Sequence, residues 1–151
     1  MSIVLTKAKI VTTLSGVSNI GFVDDREGRA EGLPWEDNTV LPLWVVKFAK
    51  NIKPEASSKA YLGAQLSGQS YHIKGYFPWN YEQNSELAWD TYLDLVQGAF
   101  SSTSPLGVAC SKVDPVEVLE NDFVMYKASS GLTLCHYSLL EVSVELWENS
   151  N

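Results

Sequence analysis

Residues 123–147 decide the fold, and they read FVMYKASSGLTLCHYSLLEVSVELW. An apolar run opens the stretch, and the turn sequence Ser129, Ser130 and Gly131 follows, in which glycine accepts a positive φ at little cost. Beyond the turn the side chains alternate in character, which is typical of a strand with one face on a core. The predicted core-facing residues are Leu134, His136, Ser138, Leu140, Val142, Val144 and Leu146, and those facing away are Cys135, Tyr137, Leu139, Glu141, Ser143, Glu145 and Trp147. The stretch therefore predicts a long antiparallel β-hairpin.

The length and charge of the chain limit the classes of protein it can belong to. Its 151 residues fit a single domain, residues 1–151, with a substantial core. The formal net charge is -7, from 11 Lys and Arg against 18 Asp and Glu, which argues against a phosphate-binding surface. A surface that DNA passes without binding is compatible with this charge, because like charges repel. Solubility alone is the ordinary explanation of the same charge.

The cysteines and the N-terminus predict the compartment. Cys110 and Cys135 make neither a disulfide framework nor a zinc-binding spacing, so free thiols in a reducing compartment are expected. The N-terminal sequence lacks the features of a signal peptide. No run reaches the length of about 18 apolar residues that is typical of a membrane span. We therefore expect a soluble protein that is made inside the cell and has no membrane partner.

An amphipathic helix is predicted at the N-terminus, over residues 3–15. Apolar side chains recur there at spacings of three and four residues, and Gly16 is a suitable end. One row of this helix holds Val4, Ala8, Val11 and Ser15, and a second row beside it holds Ile3, Lys7, Ile10 and Leu14. Residues 17–23 follow as a short apolar strand.

The main helix is predicted over about residues 85–100. Asn84 or Ser85 caps its start, and Glu86 in the first turn complements the positive end of the helix dipole. Its core-facing stripe consists of Trp89, Leu93, Val96 and Phe100. A stripe of this width indicates packing on a sheet or core and not a coiled-coil seam.

The remaining strands follow from apolar runs and breakers. Residues 41–50 predict a central strand covered on both faces, with Pro42 at its start. Two further strands, 61–66 and 71–77, are expected around a turn at 67–70. Residues 108–112 form either a strand or a connection, and residues 113–119 open the terminal hairpin, with a bulge at Asn121–Asp122. The predicted fold class is α+β: a mainly antiparallel sheet with a long C-terminal β-hairpin, packed by the N-terminal helix and the main helix.

Residues 24–39 follow neither the helix nor the strand period. Six of them are acidic and two are Gly, so they predict a long loop or β-excursion. Long loops in compact domains are often functional, although a solvated charged loop is equally expected.

No catalytic constellation emerges from the sequence. The only histidines, His72 and His136, lie on separate predicted strands, and their spacing selects no metal site. Cys135 directly precedes His136, so the two side chains point to opposite faces of one strand and make no nucleophile–base pair. Phosphate-binding, dinucleotide-binding and nucleophile-elbow motifs are absent from the sequence. We therefore expect no enzyme activity, no metal and no cofactor.

The order of elements resembles one family. An N-terminal helix, a strand, an acidic excursion, a central strand, two strands, one amphipathic helix and a long hairpin ending in the strand His136–Val144 resemble the tail terminator proteins of tailed bacteriophages. The acidic segment 24–39 is longer than that pattern provides for. The resemblance implies a structural virion protein, assembled in the host cytoplasm, that forms a ring, typically a hexamer, at the head-proximal end of the tail tube. There it stops tube growth and joins the tail to the head.

That resemblance implies four kinds of contact: with copies of the chain, with the tail tube protein, with a head-completion or connector protein, and with DNA that passes without specific binding. A ring closes through two different complementary patches on each subunit. The predicted contact residues are Asp24, Asp25, Glu27, Trp35, Glu36, Asp37, Ser129, Ser130 and Gly131. Some of the acidic ones are expected to face the lumen and to repel DNA.

Two other function classes fit the same composition. The first is a small-molecule-binding or enzymatic α+β domain, in which aromatic side chains line a pocket and His72 or His136 supplies the polar group. The second is an adaptor that binds peptides along a sheet edge.

Overall fold

The computed structural model describes residues 3–24, 42–52, 64–80, 82–101, 106, 110–128 and 131–149. Two helices, α1 (Ile3–Ser15) and α2 (Ser85–Ala99), pack on one six-stranded sheet. The strands are β1 (Phe22–Asp24), β2 (Leu43–Ile52), β3 (Ala64–Pro78), β4 (Cys110–Val113), β5 (Glu117–Ala128) and β6 (Gly131–Asn149). The fold is α+β, which confirms the predicted class.

Strand β6 is the centre of the sheet. The order runs β1, β2, β3, β6, and both β4 and β5 then pair with the far edge of β6. Only the β1–β2 pair is parallel among these strands. β5 and β6 form the predicted antiparallel hairpin, in which Ala128 faces Gly131 and Glu117 faces Glu141. The residues of the turn, Ser129 and Ser130, lie outside the described part of the chain.

Both helices cover the same face of the sheet. The predicted stripe of α2 is confirmed, since Trp89, Leu93, Val96 and Phe100 are all buried. The indole of Trp89 stacks on that of Trp44, with ring centroids 4.9 Å apart. Gly75 lies on β3 beneath both rings, where a Cβ would come within 2.5 Å of Trp44 Cζ3 and 2.6 Å of Trp89 Cη2. A glycine is therefore required at this point for the two indoles to lie against the sheet.

The N-terminal helix forms where predicted, but it is turned differently about its axis. Its buried side consists of Thr6, Ile10 and Leu14, so the row of Ile10 and Leu14 meets the core. Val4, from the other predicted row, is 75% exposed. Apolar residues occur on both sides of this helix, and the sequence period alone does not say which side the sheet covers.

Two predicted strands, 61–66 and 71–77, are one continuous strand, β3, and the turn expected at 67–70 is wrong. Gly68 pairs with Ile52 of β2, and a Cβ on it would come within 2.6 Å of Ile52 Cγ1. The glycine therefore allows close approach of a neighbouring strand and makes no turn. The predicted alternation within 71–77 is correct, because Tyr71 and Ile73 are buried while His72 and Lys74 are partly exposed.

Three other boundaries differ from prediction. The first strand covers only Phe22–Asp24, because residues 17–20 form a turn and Asn19 and Gly21 have positive φ. The strand expected to open at residue 113 begins at Glu117, since Pro115 has no N–H for a ladder. The bulge lies between Val118 and Glu120, not at Asn121–Asp122. The central strand is confirmed, and it begins at Leu43, just after Pro42.

Candidate assembly surface

Strand β5 places an apolar row on the helix-covered face of the sheet, beyond the edge of α2. The register pairs Val118 with Leu140, Phe123 with His136 and Met125 with Leu134, so these side chains share the face of His136. Val118 is 36% exposed, Phe123 49% and Met125 57%. Leu134, on β6, adds a further 36% exposed side chain to the row. We call these four residues the hairpin face.

The opposite face of β5 is acidic. The register places Glu117 opposite Glu141, Glu120 opposite Leu139 and Asp122 opposite Tyr137, which all lie on the other side of β6. All three acidic side chains of β5 are exposed. β5 is thus amphipathic, and its apolar side is turned towards the helices.

The outer edge of β5 is the second feature of this surface. Among the described strands, β5 pairs with β6 alone. A strand edge of 12 residues that carries large apolar side chains is a site for pairing with another chain. The three acidic side chains of β5 are of the kind that monomers place on such an edge, so the exposed apolar row is the feature that favours a partner.

Helix α2 forms an acidic wall next to the hairpin face. Glu86, Asp90 and Asp94 follow one another at intervals of four residues, so they lie in one row along the helix. We call them the acidic row. Ser85 at the start of α2 contacts His136, and the carboxylates of Glu86 and Asp90 are near enough to raise the pKa of its imidazole against the effect of burial, so these two carboxylates lie on the β5 side of α2. α2 contains no Lys or Arg.

His136 lies between the acidic row and the hairpin face. Its Nε2 is 2.8 Å from Ser85 Oγ at the start of α2, and its ring centroid is 5.0 Å from that of Phe123. Burial lowers the pKa of the imidazole, and the carboxylates of Glu86 and Asp90 partly offset this effect. His136 is therefore mainly neutral at neutral pH.

A chain of hydrogen bonds fixes β5 relative to the helix. Trp89 Nε1 donates to Ser138 Oγ at 2.9 Å, and Ser138 Oγ donates to Asn121 Oδ1 at 2.8 Å. Gln97 Nε2 donates to the carbonyl of Val116, just before β5, at 2.9 Å. These bonds join α2, β6 and β5, so the hairpin face is held on a rigid support.

Two surface clefts lie at the start of α2. One of about 370 Å³ is lined by Trp79, Asn80, Glu82, Asn84, Ser85 and Glu86. The other, of about 310 Å³, is lined by Phe77, Pro78, Asn80, Gln83, Ser85 and Ala88. His136 lines neither cleft directly and reaches them only through its hydrogen bond to Ser85.

The other groups considered for chemistry lie apart from each other. His72 Nε2 is 3.6 Å from Glu141 Oε2 on the face of the sheet opposite the helices. Cys135 is buried beside Leu43 and Val45 on that face, and burial raises the pKa of its thiol to about 12. His136 points to the helix-covered face, as the alternation predicts. No group of three His, Cys, Asp or Glu side chains that could hold a metal occurs within the described residues.

The predicted contact residues lie mostly outside the described part of the chain. Asp25, Glu27, Trp35, Glu36, Asp37, Ser129 and Ser130 fall outside it. Asp24 ends β1 and is only 6% exposed, and Gly131 begins β6. Their contact roles stay predictions. Sequence reasoning missed Val118, Phe123 and Met125, because the bulge at Leu119 hides their common face and the run from Phe123 to Tyr126 resembles a buried strand.

No protein-family model matches the chain, and no curated protein matches it significantly. Within the described residues, neither helix has the length and apolar character needed to cross a membrane.

Proposed function

We propose that the chain is a tail terminator of a tailed bacteriophage, a structural virion protein that forms a ring at the head-proximal end of the tail tube. The observation that carries this proposal is strand β5, which pairs with β6 alone among the described strands and presents the exposed hairpin face. A subunit that acts by fitting against other subunits requires such surfaces. The second support is the order of elements that resembles this family, in which the two strands predicted within residues 61–77 are the single strand β3.

The charge of the chain agrees with a position on the DNA path. The formal net charge is -7, and β5 carries an acidic face on the side of the sheet opposite the helices. Acidic surfaces repel the phosphates of passing DNA and hold it by no specific contact. The partners we propose are copies of this chain, the tail tube protein and a head-completion protein.

The test replaces two apolar residues of the hairpin face by mutation of the gene in the phage that encodes the chain. We expect Phe123→Ser with Met125→Ser to leave the chain folded but to abolish its assembly on tails, because the two side chains lose their apolar contact area. Unterminated tubes then keep growing, so electron microscopy of the lysate shows overlong tails without heads. Deletion of the gene is expected to give the same result.

Leu87→Ser with Leu95→Ser is the matched control. Both leucines are exposed on α2, at 63% and 45%, and they line a cleft with Ser18 and Asn19, outside the hairpin face. This variant removes a similar amount of exposed apolar surface and should give tails of normal length. Normal tails from the deletion strain would contradict the proposed function.

A small-molecule-binding protein is the second candidate, and the Ser85–His136 pair beside the two clefts is the observation that favours it. A neutral imidazole bonded to a hydroxyl is able to accept a proton. Native mass spectrometry separates the two functions: a bound metabolite on a monomer supports the second candidate, and a multi-subunit ring supports the first.

A further inference from the structure

Helix α1 has a second apolar side that the sheet leaves uncovered. Val4 is 75% exposed and Leu5 is 58% exposed, and Ala8 one turn later is also exposed. Lys7 and Lys9 flank Ala8 on either side, because successive helical residues are rotated by about 100°. Residues 3–15 contain no Asp or Glu. In a chain of net charge -7, α1 is therefore a cationic helix with an exposed apolar strip.

The groove between α2 and β5 has the opposite character. One wall is the acidic row and the other is the hairpin face, with His136 between them. Neither α2 nor residues 117–125 of β5 contain a Lys or Arg. A helix with an apolar strip between two positive charges is therefore complementary to this groove in charge and in apolar character.

These two surfaces lie at opposite ends of the sheet. α1 packs on β1 and β2, whereas the groove lies over β6 and β5. Within one chain they are separated by β3, so α1 does not fill its own groove. A contact between α1 of one copy and the groove of the next is heterologous, and repetition of such a contact closes a ring when the rotation from copy to copy adds up to a full turn.

We propose that the groove receives helix α1 of a second copy of this chain. In this contact Val4, Leu5 and Ala8 lie on the hairpin face, and Lys7 or Lys9 pairs with Asp90 or Asp94. This inference rests on the proposed function, since it assigns the contact through which the ring subunits join. It assigns nothing to the tube or head partners.

The experiment exchanges the charges of the two surfaces in the purified full-length chain. Lys7→Glu with Lys9→Glu makes α1 acidic, and Asp90→Lys with Asp94→Lys makes the groove basic while leaving the first turn of α2 unchanged. We expect each pair alone to weaken self-association by about tenfold or more, because like charges then meet at the contact. The chain with all four changes should recover self-association, since every contact is again between opposite charges.

Sedimentation velocity over a range of protein concentrations and native mass spectrometry measure the association. Lys50→Glu is the control, because Lys50 is exposed on β2 and lies outside the two surfaces, so this change should not alter association. Circular dichroism and the urea midpoint establish that each variant is folded.

The outcomes separate this inference from the proposed function. Loss of self-association in each two-residue variant and its recovery in the four-residue variant support docking of α1. The inference would be overturned by unchanged association in both two-residue variants or by a folded four-residue variant that does not recover association. A wild-type chain that stays monomeric would also overturn it. The proposed function is judged separately, by the tail lengths of the deletion strain.

Discussion

The helix-covered face of the sheet has two halves that differ in what lies on them. Over β2 and β3, Trp44 and Ile73 are fully buried beneath the helices. Over β5, Phe123 and Met125 on the same face are about half exposed. Helices about 10 Å wide each cover about two strands spaced about 4.8 Å apart. Two helices therefore cover the strands from β1 to β6 and leave β5 bare, so the exposed row follows from the number of helices.

The largest expected effect contrasts Trp89→Ala with Phe123→Ala. Trp89 is 1% exposed and stacks on Trp44, so its truncation should lower the free energy of unfolding by about 3–5 kcal/mol. Phe123 is 49% exposed, so we expect a loss of about 1 kcal/mol, at the low end for an aromatic side chain. Urea unfolding of the two variants measures both values. Equal losses would show that β5 is as well packed as the covered half.

A smaller effect is expected from glycines in the covered half and on the open side of α2. Gly75→Ala places a methyl group against both indoles and should destabilise by about 1–3 kcal/mol. Gly98, near the end of α2, has no atom within 4 Å of a built Cβ. Gly98→Ala should therefore stabilise by about 0.5–1 kcal/mol through helix propensity. Thermal melts of both variants give the signs, and a stable Gly75→Ala would contradict the close approach of the tryptophans.

The smallest effect concerns His136 at the boundary of the two halves. Burial lowers the pKa of His136 in the folded chain below its ordinary value of 6.5, which applies to the unfolded chain. At a pH between the folded and the unfolded pKa, the unfolded chain therefore binds more protons than the folded chain. The contribution of neutral, buried His136 to the free energy of unfolding should be complete above pH 6.5 and should fall as the pH drops from 6.5 towards the folded pKa. We expect His136→Gln to flatten this part of the pH profile. An unchanged profile in His136→Gln would show that another group causes the loss.

The sequence predicts correctly those elements whose apolar period matches the side that is packed in the fold. The stripe from Trp89 to Phe100 and the alternation from His136 to Val144 each place large apolar residues at one period, and both elements form where the sequence indicates. Gly68 was misread because a glycine serves equally for a turn and for the close approach of a neighbouring strand, and Ile52 lies sixteen residues earlier. Local sequence does not report such a partner.

The candidate surface was less predictable than the fold. The residues of the hairpin face are apolar, so sequence reasoning places them in a core, and their exposure depends on how far α2 reaches across the sheet. The interval from Val118 to Phe123 is also odd, because Leu119 sits in a bulge, which conceals their shared face. The rotation of α1 about its axis is unpredictable from sequence for the same reason, because only the position of the sheet decides which of its two apolar sides is covered.

The position of β6 has a consequence for the order of events during synthesis. Among the described strands, β4 and β5 pair with β6 alone and β3 pairs with both β2 and β6, and β6 follows all of them in the sequence. While a ribosome is still making residues 131–149, β5 has no strand to pair with and β3 has only β2. Half-made chains therefore expose several open strands at once, and the cell must keep neighbouring nascent chains apart until the last strand emerges.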